Sequence, residues 1–340
     1  MNRSDLERVA HAMVAKDKGL LAADESTGTI KKRFSQIQLD STEEHRRAYR
    51  ELLFTTPDIA QWISGVILYD ETIRQSTRDG VPFAQYLAKL GILPGIKVDE
   101  GAKPLALFPG ETITEGLDGL RARLIEYYQL GARFAKWRAV IDIGEGIPTR
   151  AAIELNAQAL ARYAALCQEQ DIVPIVEPEV LMDGAHTLER CEQVTDAVLA
   201  AVFEQLALQR VCLEGMILKP NMVISGKQCA QRATGEQVAA ATVRTLRRHV
   251  PAAVPGIMFL SGGQSPLEAT THLSLMNRVK PLPWQLSFSY GRALQDAALA
   301  AWGGKPANFS AGQQAFHKWA RLNGLARGGA FQPGMEQQSA

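Results

Sequence analysis

Short apolar segments of strand length recur along the chain between stretches richer in polar residues. Eight such segments follow one another at intervals of about 30–45 residues: 19–23, 65–69, 95–98, 132–137, 172–176, 215–218, 256–260 and 284–288. Several of them are nearly continuous in hydrophobic residues. Strands that are buried on both faces have this composition, so the pattern predicts a parallel sheet covered by helices.

Helical patterns occupy the intervals between these segments. Residues 151–168 and 188–208 are rich in alanine and leucine, and a further helix is predicted over about 238–249. Ser41 and Glu44 have the spacing of a capping box, which predicts a helix start ahead of apolar residues at helical intervals.

Eight strands that alternate with helices predict a (β/α)8 barrel, the TIM-barrel fold. The length of 340 residues fits either one barrel with insertions or two ordinary domains. An open, doubly wound sheet is the rival fold, but the turn after the first segment, 24–28, lacks a glycine-rich dinucleotide fingerprint. We therefore predict a single-domain barrel over residues 1–325 and a mobile C-terminal tail over residues 326–340.

Composition and charge exclude several classes of function. The chain is 46% hydrophobic and 21% charged, as expected of a globular protein with a large core. Its 37 Lys and Arg residues balance 36 Asp and Glu residues, which leaves a formal net charge of +1. Because no overall basic field exists, we expect neither nucleic acid nor a membrane surface as a partner.

Cysteine spacing and the N-terminus point to the cytoplasm. The four cysteines, at 167, 191, 212 and 229, are scattered and fit neither a zinc ribbon nor a disulfide framework. The first residues are charged and lack the apolar stretch of a signal peptide. Nowhere does the sequence approach about 18 uninterrupted apolar residues, so we expect no membrane span.

Polar and charged residues follow each apolar segment, where barrel strands run into the loops that carry function. They are Asp24, Glu25 and Ser26; Asp70 and Glu71; Lys97 and Asp99; Lys136 and Arg138; Glu177 and Glu179; Lys219; Ser261, Gly262 and Gly263; and Ser289, Tyr290, Gly291 and Arg292. Any one of them would ordinarily be a solvated loop residue. Eight such positions around one barrel predict a common polar pocket.

Lys219 is the candidate nucleophile of this pocket. It follows the apolar residues 216–218 and precedes a proline, so its aliphatic stem should be buried. Burial and nearby cations such as Lys97, Lys136 and Arg138 both favour the neutral amine of a lysine. A neutral amine can attack a ketone, and the iminium formed stabilises a carbanion at the adjacent carbon. The alternative is that Lys219 forms an ion pair with a neighbouring glutamate.

Two carboxylates could move the protons that such a reaction needs. Glu177 follows the neighbouring strand and could act as the acid that expels water from the carbinolamine. Asp24 lies across the barrel mouth and could act as the base that takes a hydroxyl proton as a carbon–carbon bond breaks. Each has a structural alternative: Asp24 as a helix cap, and Glu177 as the ion-pair partner of Lys219.

Two groups of residues are candidates for binding phosphate. Ser261, Gly262 and Gly263 follow the seventh segment, and Gly291 and Arg292 follow the eighth, where barrels often bind phosphate through backbone N–H groups. A second cationic set, Lys32 and Arg33 with Lys97 and Arg138, could hold another phosphate. The alternatives are glycines that merely turn the chain and a solvated helix face at Lys32 and Arg33.

The motifs at these positions resemble class I fructose-1,6-bisphosphate aldolase. The matching stretches are 20–34 (LLAADESTGTIKKRF), 42–55, 65–75 (GVILYDETIRQ), 94–101, 134–140 (FAKWRAV), 174–180 (PIVEPEV), 218–223 (LKPNMV), 259–265 (FLSGGQS) and 287–295 (SFSYGRALQ). They occur in the family order over roughly residues 5–325. No single stretch is specific to this family, but the complete set of stretches is.

This resemblance implies a barrel that reversibly cleaves fructose 1,6-bisphosphate to dihydroxyacetone phosphate and glyceraldehyde 3-phosphate without a metal or cofactor. It implies Lys219 as the Schiff-base lysine and Glu177 as the acid and base of imine formation. Asp24 would be the base for bond cleavage, and Lys136 would support the arrangement of charges. The family is commonly tetrameric, so we expect a homo-oligomer.

The resemblance also implies two phosphate sites. The residues expected at one are Ser261, Gly262, Gly291 and Arg292, and those expected at the other are Ser26, Thr29, Lys32, Arg33 and Lys97. Animal members of the family end in a tyrosine that assists proton transfer. The last tyrosine here is Tyr290, so we expect this proton transfer to be slower or to use another group.

Two other functions are compatible with the same residues. A different Schiff-base barrel, such as a transaldolase, carries its lysine on the fourth strand, which here would make Lys136 the nucleophile. A catalytically silent scaffold would retain the fold without turnover. The set of Asp24, Glu177 and Lys219 argues against the silent scaffold.

Overall fold

In the computed structural model, which describes residues 1–337, eight parallel strands close into a barrel. In chain order the strands are β1 (Gly19–Ala23), β2 (Ile63–Leu68), β3 (Leu93–Lys97), β4 (Ala102–Pro104), β5 (Thr112–Thr114), β6 (Phe134–Ile141), β7 (Val173–Val180), β8 (Ile217–Leu218), β9 (Gly256–Phe259) and β10 (Gln285–Tyr290). The barrel runs β1-β2-β3-β6-β7-β8-β9-β10 and closes by pairing β10 with β1. Each apolar segment supplies one barrel strand, so the predicted single-domain TIM barrel is confirmed and the open sheet is excluded.

Helices cover the outside of the barrel. They are α1 (Arg3–Met13), α2 (Thr27–Phe34), α3 (Glu43–Phe54), α4 (Asp70–Ile73), α5 (Phe83–Lys89), α6 (Leu120–Gln129), α7 (Arg150–Glu169), α8 (Leu188–Leu208), α9 (Gly235–His249), α10 (Pro266–Arg278), α11 (Arg292–Trp302) and α12 (Phe309–Arg327). The start predicted for α3 is wrong by one residue. Thr42, not Ser41, is the N-cap, because its side-chain oxygen accepts the backbone N–H of His45 at 3.1 Å.

Two of the barrel strands continue past the points where the sequence predicted them to end. Lys136 and Arg138 lie within β6, and Glu177 and Glu179 lie within β7. Successive residues of a strand point to opposite faces, so these charged side chains enter the barrel while the residues between them face the helices. Trp137, for example, packs on Tyr163 of α7 with ring centroids 5.6 Å apart. Charge on the inner face therefore does not end the strand.

The antiparallel pair β4 and β5 was not predicted. Its strands have only three residues each, and β4 is exposed, so no apolar run marks them. The Thr114 hydroxyl of β5 donates to the carbonyl oxygen of Arg138 at 2.7 Å. The pair thereby supports the part of β6 that carries a predicted site residue.

Apolar side chains fill the barrel below its charged mouth. Leu20, Ile67, Phe134, Ile175, Ile217 and Met258 form one buried cluster with Leu6, Val9 and Met13 of α1. The first helix therefore packs across the end of the barrel where the strands begin. The Phe134 ring of β6 occupies space left by glycines on β3 and β2, because a Cβ added at Gly95 would lie 2.2 Å from it and one added at Gly65 would lie 2.9 Å from it.

Replacing Gly95 with alanine is expected to lower the free energy of unfolding by about 2 kcal/mol or more, because the Phe134 ring and the new methyl group cannot both fit. Urea denaturation of the purified variant measures this loss. Gly28→Ala is the matched control, since an added Cβ there meets no atom within 4 Å. Equal midpoints for the two variants would contradict the packing argument.

Residues after α12 pack against α10. The boundary predicted at residue 325 falls inside α12, which continues to Arg327. Phe331 is buried, and its carbonyl oxygen accepts hydrogen bonds from Ser274 at 2.9 Å and from Arg278 at 2.8 Å. Mobility of the tail stays a prediction, and residues 338–340 of it lie outside the described residues.

The sequence predicts no membrane span, no disulfide framework and no zinc ribbon. Within residues 1–337, no helix combines the length and the apolar character that crossing a membrane requires. All four cysteines are free thiols, two of them buried. The described part of the chain contains no group of three or more His, Cys, Asp or Glu side chains placed to hold a metal ion.

Candidate active site

A cavity of about 540 Å³ opens at the carboxyl ends of the barrel strands. It brings together all the predicted site residues except Gly263: Asp24, Ser26, Thr29, Lys32, Arg33, Lys97, Lys136, Arg138, Glu177, Lys219, Ser261, Gly262, Ser289, Gly291 and Arg292. Every barrel strand except β2 contributes one or more of these residues, either from the strand itself or from the loop that follows it. The structure thus places at one mouth side chains that are up to 268 positions apart, from Asp24 to Arg292.

The second strand does not contribute to this cavity, contrary to the prediction that all eight strand ends converge. The chain turns directly from β2 into α4, which begins at Asp70 and carries the carboxylates outward. Asp70 pairs with Arg74 at 2.8 Å, and Glu71 pairs with Arg46 at 2.5 Å. Glu71 therefore joins α4 to α3, whereas Asp70 forms its ion pair at the end of α4 itself.

Lys219 lies immediately after β8 and is almost completely buried. Its backbone N–H donates to the carbonyl oxygen of Val176 at 2.8 Å, which extends the barrel pairing by one residue. Its Nζ lies 3.2 Å from Oε1 of Glu177, and both side chains are 4% exposed. The ion pair named as the structural alternative is therefore present. It also places a carboxyl group where protons must move if the lysine attacks a carbonyl.

Lys136 stands at the centre of three carboxylates. Its Nζ lies 2.8 Å from Asp24, 3.6 Å from Glu177 and 3.8 Å from Asp99. Burial would lower the pKa of Lys136, but these three negative charges outweigh it and raise the pKa well above its usual value. Three carboxylates hold the Lys136 ammonium group, whereas within residues 1–337 Lys219 pairs with Glu177 alone, so the geometry favours Lys219 over Lys136 as the nucleophile.

Asp24 is held in its charged form. Burial would raise its pKa, but Lys136, Lys219 and Lys97 together lower the pKa well below its usual range. The alternative reading of Asp24 as a helix cap is wrong. Ser26 is the N-cap of α2, since its hydroxyl accepts the Thr29 backbone N–H at 3.4 Å. Asp24 is thus free to face the cavity.

The two candidate phosphate loops approach the cavity through glycine. Gly262 has a φ of +27°, and an added Cβ would lie 2.4 Å from the Leu260 side chain. Gly291 is the N-cap of α11, so the first backbone N–H groups of that helix point toward the cavity. A Cβ added at Gly291 would lie 3.6 Å from Nη2 of Arg33. Arg33, predicted in the second cationic set, therefore lies beside the first.

Gly263 was predicted to bind substrate, but it does not line the cavity. It has a φ of +71°, and an added Cβ would lie 2.5 Å from the Met182 sulfur and 2.7 Å from Cε of Lys227. The loop therefore uses this glycine for its turn and for packing, as the structural alternative for these glycines proposed.

Buried side chains hold the Ser261 loop from behind. The Gln264 amide nitrogen donates to the Ser261 carbonyl oxygen at 3.2 Å, and Nδ1 of His272 lies 2.6 Å from the Gln264 amide oxygen. Burial lowers the pKa of His272 to about 4, so its ring is neutral at pH 7 and Nδ1 can donate to that oxygen.

Three carboxylates in the cavity were given no role by sequence reasoning: Glu25, Asp99 and Glu179. Asp99 pairs with Lys97 at 2.9 Å, and Glu179 pairs with Arg138. Burial would lower the pKa of Arg138, but Glu179 and its acidic neighbours raise it. Asp99 lies two residues after Lys97, and Glu179 lies two residues after Glu177. Because alternate residues of a strand share a face, this spacing could have placed both carboxylates on the inner face of the barrel.

Known proteins match this chain over almost its whole length. Residues 5–340 match the family model for fructose-bisphosphate aldolase class-I. A probable fructose-bisphosphate aldolase class 1 from Xanthomonas campestris pv. campestris is 61% identical over 327 residues, which cover 96% of this chain and 98% of that protein. A fructose-bisphosphate aldolase from Echinococcus multilocularis is 54% identical over 330 residues, which cover 96% and 91%.

A solved structure agrees with the sequence relatives. Fructose-bisphosphate aldolase from Plasmodium falciparum, determined in complex with TRAP and a small-molecule inhibitor, superposes with a TM-score of 0.96 at 48% identity. The match covers 98% of this chain and 96% of that one. Family model, relatives and fold point the same way: the chain belongs to the class I fructose-bisphosphate aldolase family.

Proposed function

We propose that this enzyme reversibly cleaves fructose 1,6-bisphosphate to dihydroxyacetone phosphate and glyceraldehyde 3-phosphate through a Schiff base on Lys219. The observation that carries the proposal is the buried amine of Lys219, 3.2 Å from the Glu177 carboxylate in a cavity that also holds cationic residues. A covalent imine needs no metal or other cofactor, so we expect cleavage to persist in the presence of EDTA.

The first stage forms the imine. The neutral amine of Lys219 attacks the C2 ketone, and the resulting carbinolamine must lose its hydroxyl group as water. Glu177, whose Oε1 lies within reach of the amine, takes a proton from the Lys219 ammonium group of the ion pair and later returns it to the departing hydroxyl group, which leaves as water. The iminium that results is positively charged and withdraws electrons from C3.

The second stage breaks the C3–C4 bond. A base removes the proton from the C4 hydroxyl, the C3–C4 electron pair flows into the iminium, and glyceraldehyde 3-phosphate leaves. We assign the base to Asp24, which is charged in the resting site and can accept a proton, although its ion pair with Lys136 weakens it as a base. Protonation of the enamine and hydrolysis then release dihydroxyacetone phosphate.

The two phosphates bind at opposite sides of this chemistry. Ser261, Gly262, Gly291 and Arg292 hold one of them, and Ser26, Thr29, Lys32, Arg33 and Lys97 hold the other. Arg33 is assigned to the second set by family resemblance, but it borders Gly291 of the first set and therefore lies between the two. Arg138 and Ser289 line the wall between the reacting groups and the phosphates. A substrate with a phosphate at each end would thus be fixed on both sides of the bond that breaks.

The setting of the reaction follows from family membership. We propose that the enzyme acts in glycolysis and gluconeogenesis in the cytoplasm. We also propose a homo-oligomer, a tetramer by family resemblance.

Borohydride trapping tests the reaction class. Incubation with dihydroxyacetone phosphate and borohydride should reduce the imine and add the substrate mass irreversibly to the peptide that contains Lys219. An adduct on Lys136 would instead indicate a transaldolase-like barrel. A chain that gives no adduct and does not turn over a sugar bisphosphate would be a silent scaffold.

A further inference from the structure

A buried carboxylate joins a cavity arginine to a second arginine behind it. Oε1 of Glu25 lies 2.8 Å from Nη1 of Arg33, and Oε2 lies 2.7 Å from Nη2 of Arg50. The side chains of Glu25 and Arg50 are 5% and 3% exposed. Arg33 borders the cavity, but Arg50 does not, since it lies on α3 behind the wall.

The carboxylate is fixed in place by more than its charge. Nε2 of Gln295, on α11, donates to Oε1 of Glu25 at 2.9 Å and to the Ala22 carbonyl oxygen of β1 at 2.7 Å. The Arg50 guanidinium lies 5.9 Å above the Tyr49 ring. Among residues 1–337, its Nε and Nη1 have no hydrogen-bond partner. A buried cation with so few partners is costly to keep, so its charge requires an explanation.

Electrostatic balance supplies that explanation. A carboxylate in contact with an arginine cancels much of the field that the arginine would offer to an anion. Arg33 with Glu25 alone would be close to neutral and would attract phosphate weakly. Arg50 restores one positive charge to the group, and Arg33 rather than Arg50 presents that charge to the cavity, which Glu25 also borders.

We propose that Arg50 is a positioning residue that compensates the charge of Glu25, so that Arg33 remains available for a substrate phosphate. The inference rests on the proposed function, because it needs a cavity that takes a phosphorylated substrate. Glu25 fixes where the Arg33 guanidinium lies, and Arg50 prevents that same carboxylate from neutralising it.

Binding of a hexitol 1,6-bisphosphate, measured by calorimetry, tests the proposal without any catalytic step. This probe carries both phosphates but no carbonyl, so it cannot form an imine. Arg50→Met should raise the Kd at least about tenfold, which corresponds to the loss of one charge-assisted contact. Arg50→Lys keeps the charge and should stay within about threefold of the parent.

The double variant Arg50→Met with Glu25→Gln separates charge from shape. Removing both partners leaves Arg33 uncancelled, so the Kd should return to within about threefold of the parent value. If the double variant binds as weakly as Arg50→Met, or if Arg50→Met binds like the parent, the charge-compensation proposal is wrong. Should Arg50→Met fail to fold, Arg50→Gln removes the same charge and should weaken binding to the same extent, and a Kd equal to that of the parent would overturn the proposal.

Arg47→Met is the matched control. Arg47 lies on the same helix and pairs with the buried Glu51 at 2.8 Å, but it does not border the cavity. Its loss should leave the Kd of the hexitol bisphosphate unchanged, and an equal weakening would mean that damage to α3 causes the effect. A parent protein that does not bind the probe would overturn the bisphosphate site itself, whereas the borohydride adduct tests the Schiff base separately.

Discussion

Lys219→Met is expected to lower kcat for cleavage of fructose 1,6-bisphosphate by about 10⁵-fold or more, because the variant has no amine with which to form the imine. Methionine has a similar length and no charge, so it fits the buried position after β8 better than a shorter or polar residue would. Steady-state kinetics with coupled detection of the triose phosphates measures the loss.

Substrate recognition should survive this change. The Kd of a hexitol 1,6-bisphosphate should stay within about fivefold of the parent value, since the residues proposed to bind phosphate are untouched. Intact binding together with lost turnover identifies Lys219 as a group of the chemical step. Retention of more than about 1% of the parent kcat would be incompatible with a Schiff base at this residue.

Lys136→Met should lower the free energy of unfolding by about 3–5 kcal/mol, as expected when one partner of a buried ion-pair cluster is removed. Asp24, Asp99 and Glu177 would then share a buried site without the ammonium group that now lies within 4 Å of each. Urea denaturation at pH 7 measures the loss. Lys97→Met is the control, because that side chain is 17% exposed and, within residues 1–337, pairs with Asp99 alone, so a smaller loss is expected.

The effect of Lys136→Met should depend on pH in a defined direction. In the parent protein the pKa of Asp24 is lowered, so its charge contributes stability above the unfolded-state pKa of about 3.9 and that contribution is lost as the pH falls through the folded-state pKa. Without Lys136, burial raises the folded-state pKa of Asp24 relative to the parent. The stability difference between variant and parent should therefore narrow as the pH falls below about 4, and a widening difference there would contradict this account.

The fold was predictable because each barrel strand is an apolar run that must be buried on both faces. The same reasoning failed where a strand contains buried charged residues or is itself polar. Glu177 and Glu179 are buried within β7, and charge was taken as the end of the strand. The strands β4 and β5 are too short and too polar to be recognised from periodicity.

The site was largely predictable because function in this fold gathers at strand ends. Gly263 was included because neighbouring glycines look alike in sequence, and only the backbone shows which of them faces the cavity. Arg50 could not be found, because it is one of several arginines on α3 and nothing in its spacing separates it from Arg46 or Arg47. Its significance depends on a contact with Glu25, which precedes it by 25 positions.

The packing of α1 across the base of the barrel makes the cavity a dead end. In the proposed reaction both triose phosphates must therefore leave by the opening through which the hexose entered. The fragment bonded to Lys219 is held covalently until hydrolysis, whereas the aldehyde is free once the C3–C4 bond has broken. Release through the single opening is therefore ordered: the aldehyde leaves first, and the ketone follows after hydrolysis.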